Sequence, residues 1–319
     1  MVTLDEIRQA QSLLRGIAVR TPLLEWTGVM PRRKLFLKLE NLQPIGAFKL
    51  RGAYNKIASL SEEDRRRGVI SYSSGNHAQG VAYAARSLGV RAVIVMPANA
   101  PKNKLEATTA LGAEIVTVGP SSEERRLRAE QLAAERGYVV VPPYNDEKII
   151  AGQGTVGLEI LEDLPEVETV LVPVGGGGLI SGVSTAIKLL NPKVNVIGVE
   201  PELAGDARAS LQAGHIVSFS AEQVSRTIAD GLRTQSVGEI NFDHIRAYVN
   251  DIVSVKEDEI REATRALSAN PKTMAEPSGA VSVAAFVFHS AELPNTRNNV
   301  AVISGGNIDA HLLADLRKA

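Results

Sequence analysis

The stretch Val170-Leu-Val-Pro-Val174-Gly175-Gly-Gly-Gly178-Leu179-Ile-Ser-Gly182 decides the fold. An apolar, valine-rich run predicts a buried strand, and the residues from 179 to 190 predict a helix. Four glycines join them. Such a junction presents free main-chain N–H groups and the positive end of a helix dipole, which suits a phosphate. It is not the GxGxxG dinucleotide fingerprint, and no Gly-Lys-Ser/Thr follows to make a P-loop. A flexible turn is the competing reading. Four freely rotating residues in mid-fold would cost chain entropy, so the cradle is the better account of Gly175, Gly176, Gly177 and Gly178.

The same strand–break–helix unit recurs on both sides. Upstream, strands are predicted over 69–72, 92–96, 114–118 and 138–141, alternating with helices over 77–88, 102–111 and 122–136. Downstream, a helix over 152–163 leads to the strand 169–174. Strand 194–200, helices over 205–213 and 221–231, an extended 247–255, helices over 256–270 and 279–289, and a last buried strand over 299–303 complete the chain. This alternation argues for parallel sheets covered by helices on both faces. With 319 residues, two lobes are expected. Residues 53–144 form a small, mobile one, and residues 1–52 with 145–319 form a large one.

Composition excludes several classes. Thirty-five basic and 36 acidic residues give a net charge of −1, so nothing favours nucleic acid or an anionic membrane. There is no cysteine, which rules out disulfides, thiolate metal sites and a cysteine nucleophile. No secretory leader or membrane-length apolar run is visible, so a cytoplasmic protein is expected. The five histidines (His77, His215, His244, His289 and His311) have no metal spacing and no serine-triad partner.

The segment Glu40-Asn-Leu-Gln-Pro-Ile-Gly-Ala-Phe48-Lys49-Leu-Arg-Gly-Ala53 places a lysine behind an aromatic ring where an extended stretch hands over to a helix. Lys49 can form a Schiff base, with Gly46 and Gly52 admitting a bulky bound group. On position alone, most lysines are simply solvated. Ser73-Ser74-Gly75-Asn76-His77 lies at a strand end and helix start, where hydroxyls and N–H groups suit a carboxylate. An N-cap explains one such residue, not five in a row. Ser304-Gly-Gly-Asn307 follows the last strand, and ligand contact and plain turn both remain open there. Glu200, the carbonyl of Ala204 and Asp206 form an oxygen-rich loop. By spacing alone a solvated acidic loop is the better reading.

In this order, Lys49, SSGNHAQG, GGGGLISG and SGGN resemble the fold type II pyridoxal-phosphate enzymes, specifically the serine/threonine dehydratase and serine racemase family. The resemblance spans nearly the whole chain. It implies two open, twisted, mainly parallel sheets flanked by helices, like the tryptophan synthase β chain, and a homodimer. Lys49 would carry pyridoxal 5'-phosphate with Phe48 beside the ring, and the backbone of Gly175 to Gly178 and Leu179 would hold its phosphate. Asn76 would contact the ring hydroxyl and Ser304 the ring nitrogen, and Glu276 matches a glutamate near the cofactor. Ser73, Ser74, Asn76 and His77 would receive the substrate carboxylate. The resemblance also makes Glu200, Ala204 and Asp206 a divalent-cation site for Mg²⁺, Ca²⁺ or Mn²⁺.

Two departures stand out. Ile45 and Ala47 replace hydroxyl residues the family commonly keeps beside the lysine, and Ser74 is alanine in many threonine dehydratases. The chain also stops soon after SGGN, so the regulatory domain of biosynthetic threonine deaminases is not expected. The implied activity is dehydration of a β-hydroxy amino acid such as L-threonine or L-serine to a 2-oxo acid and ammonia. Lys49 is the base on one face of Cα, and Ser74 is the acid opposite for racemase side activity. Alternatives are a serine or aspartate-type racemase, a 3-hydroxyaspartate dehydratase using Arg125, or a cofactor-free binding protein.

Overall fold

The computed structural model describes residues 1–27, 30, 32–73, 75–98, 100, 102–119 and 122–318. Among these, ten strands form two sheets. The larger sheet contains β1 (Leu23–Glu25), β2 (Lys34–Leu39), β7 (Thr169–Pro173), β8 (Asn195–Pro201), β9 (Asp251–Val255) and β10 (Asn298–Ile303), in the order β1-β2-β10-β7-β8-β9. Only β1 runs antiparallel to its neighbour; the other pairings are parallel. The smaller sheet is all parallel: β3 (Val69–Tyr72), β4 (Ala92–Pro97), β5 (Glu114–Val118) and β6 (Val139–Val140), in the order β5-β4-β3-β6.

Strand alternation divides the core. In β7, Leu171 joins one apolar cluster while Val170 and Val172 join another on the opposite face. In β4, Ile94 and Met96 face one side and Val93 and Val95 the other. Both faces are therefore covered by helices, and β4 and β7 are buried throughout.

Close helix approach locates the lysine. Helix Glu147–Asp163 packs between helices Lys49–Ala58 and Gly178–Leu190, and glycines sit at the crossings. A Cβ on Gly152 would lie 2.6 Å from the Arg51 carbonyl, and one on Gly182 would lie 2.3 Å from the Ile150 carbonyl. Gly52 belongs to this crossing, since a Cβ there would meet the Gln153 side chain at 2.5 Å. The expectation that Gly52 admits a bound group is corrected: it admits a neighbouring helix.

Two further expectations change. The helix over 221–231 is only Ala221–Ser225, followed by a 3-10 turn at Asp230–Leu232. One long-range and one local bond hold that turn, with Gly231 N donating to Ser278 Oγ and Arg233 donating to the Thr227 carbonyl. The extended segment 247–255 is strand only from Asp251, because helix Glu239–Tyr248 runs into it.

Candidate active site

The chemical motifs converge at the carboxyl ends of parallel strands, where α/β folds place ligands. Ser73 follows β3, Gly175 lies just beyond β7, and Ser304 follows β10. Lys49 opens helix Lys49–Ala58. An antiparallel bridge between Ala47 and Gly305 ties its loop to the Ser304 loop, and Phe48 N donates to the Ser304 carbonyl.

Lys49 is partly accessible, yet closely enough surrounded that desolvation pulls its amine from the ordinary 10.5 to about 8. Its Nζ donates to the Pro143 carbonyl at 2.7 Å and sits 5.2 Å from the Phe48 ring centroid. No carboxylate pairs with it among the described residues. A lysine so placed is close to losing its proton at neutral pH, as a nucleophile or base requires.

The glycine loop is built as a cradle. Gly177 takes φ +95°, which a side chain would resist, and no side chain caps the helix it begins. Among the described residues the N–H groups of residues 175–179 find no acceptor. Those orphan donors at a helix N-terminus fit a phosphate. Tyr144 covers the loop: a Cβ on Gly176 would strike its ring at 2.3 Å. Sequence reasoning missed Tyr144, because only the tertiary fold brings it there.

Asn76 is held from two sides. Its Nδ2 donates to Glu276 Oε1 at 2.6 Å, and its Oδ1 accepts from Asn307 Nδ2 at 2.8 Å. Asn307, the last letter of SGGN, also reaches the Ile45 carbonyl. Gly46, at φ +72°, leaves room for that side chain, with a Cβ 2.4 Å from Asn307 Oδ1. Burial raises the Glu276 carboxyl to about 7, aided by the charge of Asp230 and opposed by the Asn76 bond and Lys104. Ser304 Oγ is buried and makes one long bond, 3.4 Å, to the Ser278 carbonyl.

The carboxylate loop is assembled in part. Ser73 Oγ accepts from Gly75 N at 3.3 Å, while Ser74 lies outside the described residues. The His77 ring is committed elsewhere: Nε2 lies 3.0 Å from the Val141 carbonyl, and burial with nearby Lys49 lowers its pKa to about 3. What His77 offers a carboxylate is its first-turn main-chain N–H, not its imidazole. Arg125 sits part-buried on helix Ser122–Arg136, where desolvation lowers its pKa.

Glu200, Ala204 and Asp206 stand together at the end of β8. The Glu200 carboxylate accepts from Ala207 N and Arg208 N, whereas buried Asp206 Oδ2 has no partner. Burial raises both acids, Asp206 to about 7, and Asp206 further raises Glu200. Among the described residues no group of three or more His, Cys, Asp or Glu could hold a metal. This pair would therefore need main-chain oxygen to complete a cation site, and its orphaned carboxylate oxygen fits one.

The family model for pyridoxal-phosphate dependent enzymes matches residues 14–305. The chain belongs to that family. Its two mainly parallel sheets flanked by helices are the fold type II arrangement. It is 47% identical over 318 residues to an L-threonine ammonia-lyase of Thermotoga maritima, covering 98% of this chain and 77% of the relative. A catabolic L-threonine dehydratase of Escherichia coli is 41% identical over 311 residues, with 97% and 94% covered. Maize serine racemase superposes with a TM-score of 0.94 at 38% identity, covering 98% of this chain and 96% of that one. Among the described residues no helix is long and apolar enough to cross a membrane.

Proposed function

We propose that this pyridoxal-phosphate enzyme is a dehydratase that converts a β-hydroxy amino acid, L-threonine foremost and L-serine next, to a 2-oxo acid and ammonia. The observation that carries this reading is the Lys49 amine, drawn to about 8 by burial at the strand ends where the other motifs meet. The two threonine-acting relatives support the substrate.

Bound pyridoxal phosphate supplies an electron sink that acidifies the substrate Cα–H. Lys49 anchors the cofactor. With the substrate amine in its place, Lys49 would be a free amine able to take the Cα proton. The β-hydroxyl would leave as water with that proton, and a second water would release the 2-oxo acid and ammonia. The N–H groups of Gly175, Gly176, Gly177, Gly178 and Leu179 would hold the phosphate, with Phe48 beside the ring. Asn76, steadied by Glu276, would meet the ring hydroxyl, and Ser304 would offer the ring nitrogen a hydroxyl instead of a carboxylate. Ser73, Ser74, Asn76 and the His77 N–H take the substrate carboxylate. Residues 53–144 would move as the small domain.

A divalent cation held by Glu200, the Ala204 carbonyl and Asp206 is supported by the unpartnered Asp206 oxygen. A cytoplasmic homodimer completes the reading. Racemisation is the second reading, supported by the likeness to maize serine racemase and needing Ser74 as the opposing acid. Part-buried Arg125 would suit an acidic substrate such as 3-hydroxyaspartate.

The test is keto-acid release from L-serine, L-threonine, 3-hydroxyaspartate and phenylserine by the loaded enzyme. L-Threonine is expected to release 2-oxobutanoate fastest. D-Serine formed from L-serine without comparable pyruvate would favour the racemase, and protein that takes up no cofactor would leave only a binding role.

A further inference from the structure

Two polar contacts fasten the smaller sheet's helices to the larger sheet's loops. One is the Asn76 grip on Glu276 and Asn307 described above. The other is an ion pair between Lys104, on helix Lys102–Ala110, and Asp230, in the 3-10 turn Asp230–Leu232. Lys104 Nζ lies 2.7 Å from the Asp230 carboxylate. Neither residue belongs to the cofactor or substrate set proposed above, yet both act on one member of it.

That member is Glu276. Its carboxyl is buried at the N-cap of helix Pro277–Phe288, and its own N–H donates to the Gly305 carbonyl. The 3-10 turn is tied to the helix that Glu276 caps, Gly231 N donating to Ser278 Oγ at 2.8 Å. Asp230 is thereby held nearby and raises the Glu276 pKa, while Lys104, paired with Asp230, lowers it. Asn76, at the start of helix Asn76–Ser87, adds an uncharged donor. Lys104 in turn faces a second anion, Asp309, at the far end of the chain. The ion pair is partly solvent-exposed, so its effect on stability is small. Its effect on a buried neighbour is not screened in the same way.

We propose that Lys104 and Asp230 are positioning residues: their ion pair holds helix Lys102–Ala110 against the site and sets the charge balance on Glu276, through which Asn76 is aimed. The proposal rests on the reading of Asn76 and Glu276 as cofactor neighbours. An ionised Glu276 accepts the Asn76 amide in a charge-assisted bond, whereas a protonated one grips it less tightly. Lys104 favours the ionised form and Asp230 the protonated form. The two therefore act on Asn76 in opposite senses while cooperating in closure.

That opposition supplies a signature that a merely structural pair would not give. Visible absorbance of the holoenzyme is titrated with pH for the parent, Lys104→Met, Asp230→Asn and the double variant, and Glu276→Gln identifies the transition belonging to Glu276. The midpoint is expected to rise in Lys104→Met and fall in Asp230→Asn, each by about half a pH unit. It should return near the parent value in the double variant. KM for the amino acid should rise in both single variants, with melting temperature nearly unchanged. Midpoints that stay put, that move in the same direction, or that survive Glu276→Gln would overturn the proposal. Failure of the parent protein to bind pyridoxal phosphate is a different result, and sinks the functional reading itself.

Discussion

Two sets of charged groups in this protein, one around Arg51 and one that includes Lys49, are built in opposite ways. Arg51 is fully enclosed between two carboxylates, with Nε 2.8 Å from Glu40 and Nη1 2.7 Å from Glu159. Lys38 pairs with Glu159 at 2.6 Å, and Thr21 Oγ donates to Glu40 at 2.6 Å. Burial alone would raise Glu40, but the Arg51 charge and hydrogen bonds outweigh it and hold the carboxyl low. Lys49, two residues earlier, has one carbonyl and no counter-ion among the described residues, and burial drags it toward neutrality. Glu276 has an amide, and Asp206 keeps an orphaned oxygen. Charges that are completely paired act as scaffold, while charges kept short of partners are ready to exchange a proton or meet a ligand.

The contrast is broken most severely at Lys49. Lys49→Ala should lower kcat by about 10⁴-fold or more, the upper end for loss of a general base. Its melting temperature at neutral pH should not fall, since no ion pair is lost and the cost of desolvating the amine is relieved. Arg51→Ala should do the reverse, costing about 3–5 kcal/mol in denaturant unfolding by leaving Glu40 and Glu159 buried without their shared partner. If Arg51→Ala were as stable as the parent, the scaffold reading would fail.

The pH dependence of apoprotein stability sharpens the same division. Glu276 titrates near 7 folded against an ordinary 4.5, so its contribution is fully present below pH 4.5 and is lost as pH rises through 7. The loss amounts to up to about 3 kcal/mol. Lys49 is lowered from 10.5 to about 8, so its contribution is present above pH 10.5 and lost as pH falls through 8. Melting curves across pH should show these opposing trends, with Glu276→Gln flattening the acid arm and Lys49→Met the alkaline arm. The smallest effect is expected at the glycine loop. Gly176→Ala should cost about 1–3 kcal/mol from overpacking against Tyr144, and Tyr144→Ala should restore much of it.

Local pattern carried the strands and the glycine loop: 69–72 and 114–118 match the observed strands residue for residue. These are short apolar runs between glycine or proline breaks. The run 69–72 is largely buried, whereas 114–118 at the sheet edge is only half-buried, so the breaks and its β-branched residues carried the reading there. The start of the lysine helix was legible for the same reason. The paired scaffold was not, although Glu40 and Arg51 both stand in the quoted stretch. Arg51's second carboxylate, Glu159, is 108 residues beyond it, a distance no local spacing encodes. His77 shows the converse limit, because a polar residue in a polar motif turned its ring to the Val141 carbonyl, just past β6. Helix Leu4–Leu13 had a readable signal in Thr3 and Glu6, which form a reciprocal capping box.

Borohydride reduction of the cofactor-loaded enzyme, followed by proteolysis and mass mapping, tests the central claim most directly. The reduced pyridoxyl group should be found on Lys49, the partly accessible amine that has no counter-ion among the described residues. Its appearance on another lysine, with Lys49 unmodified, would contradict the account.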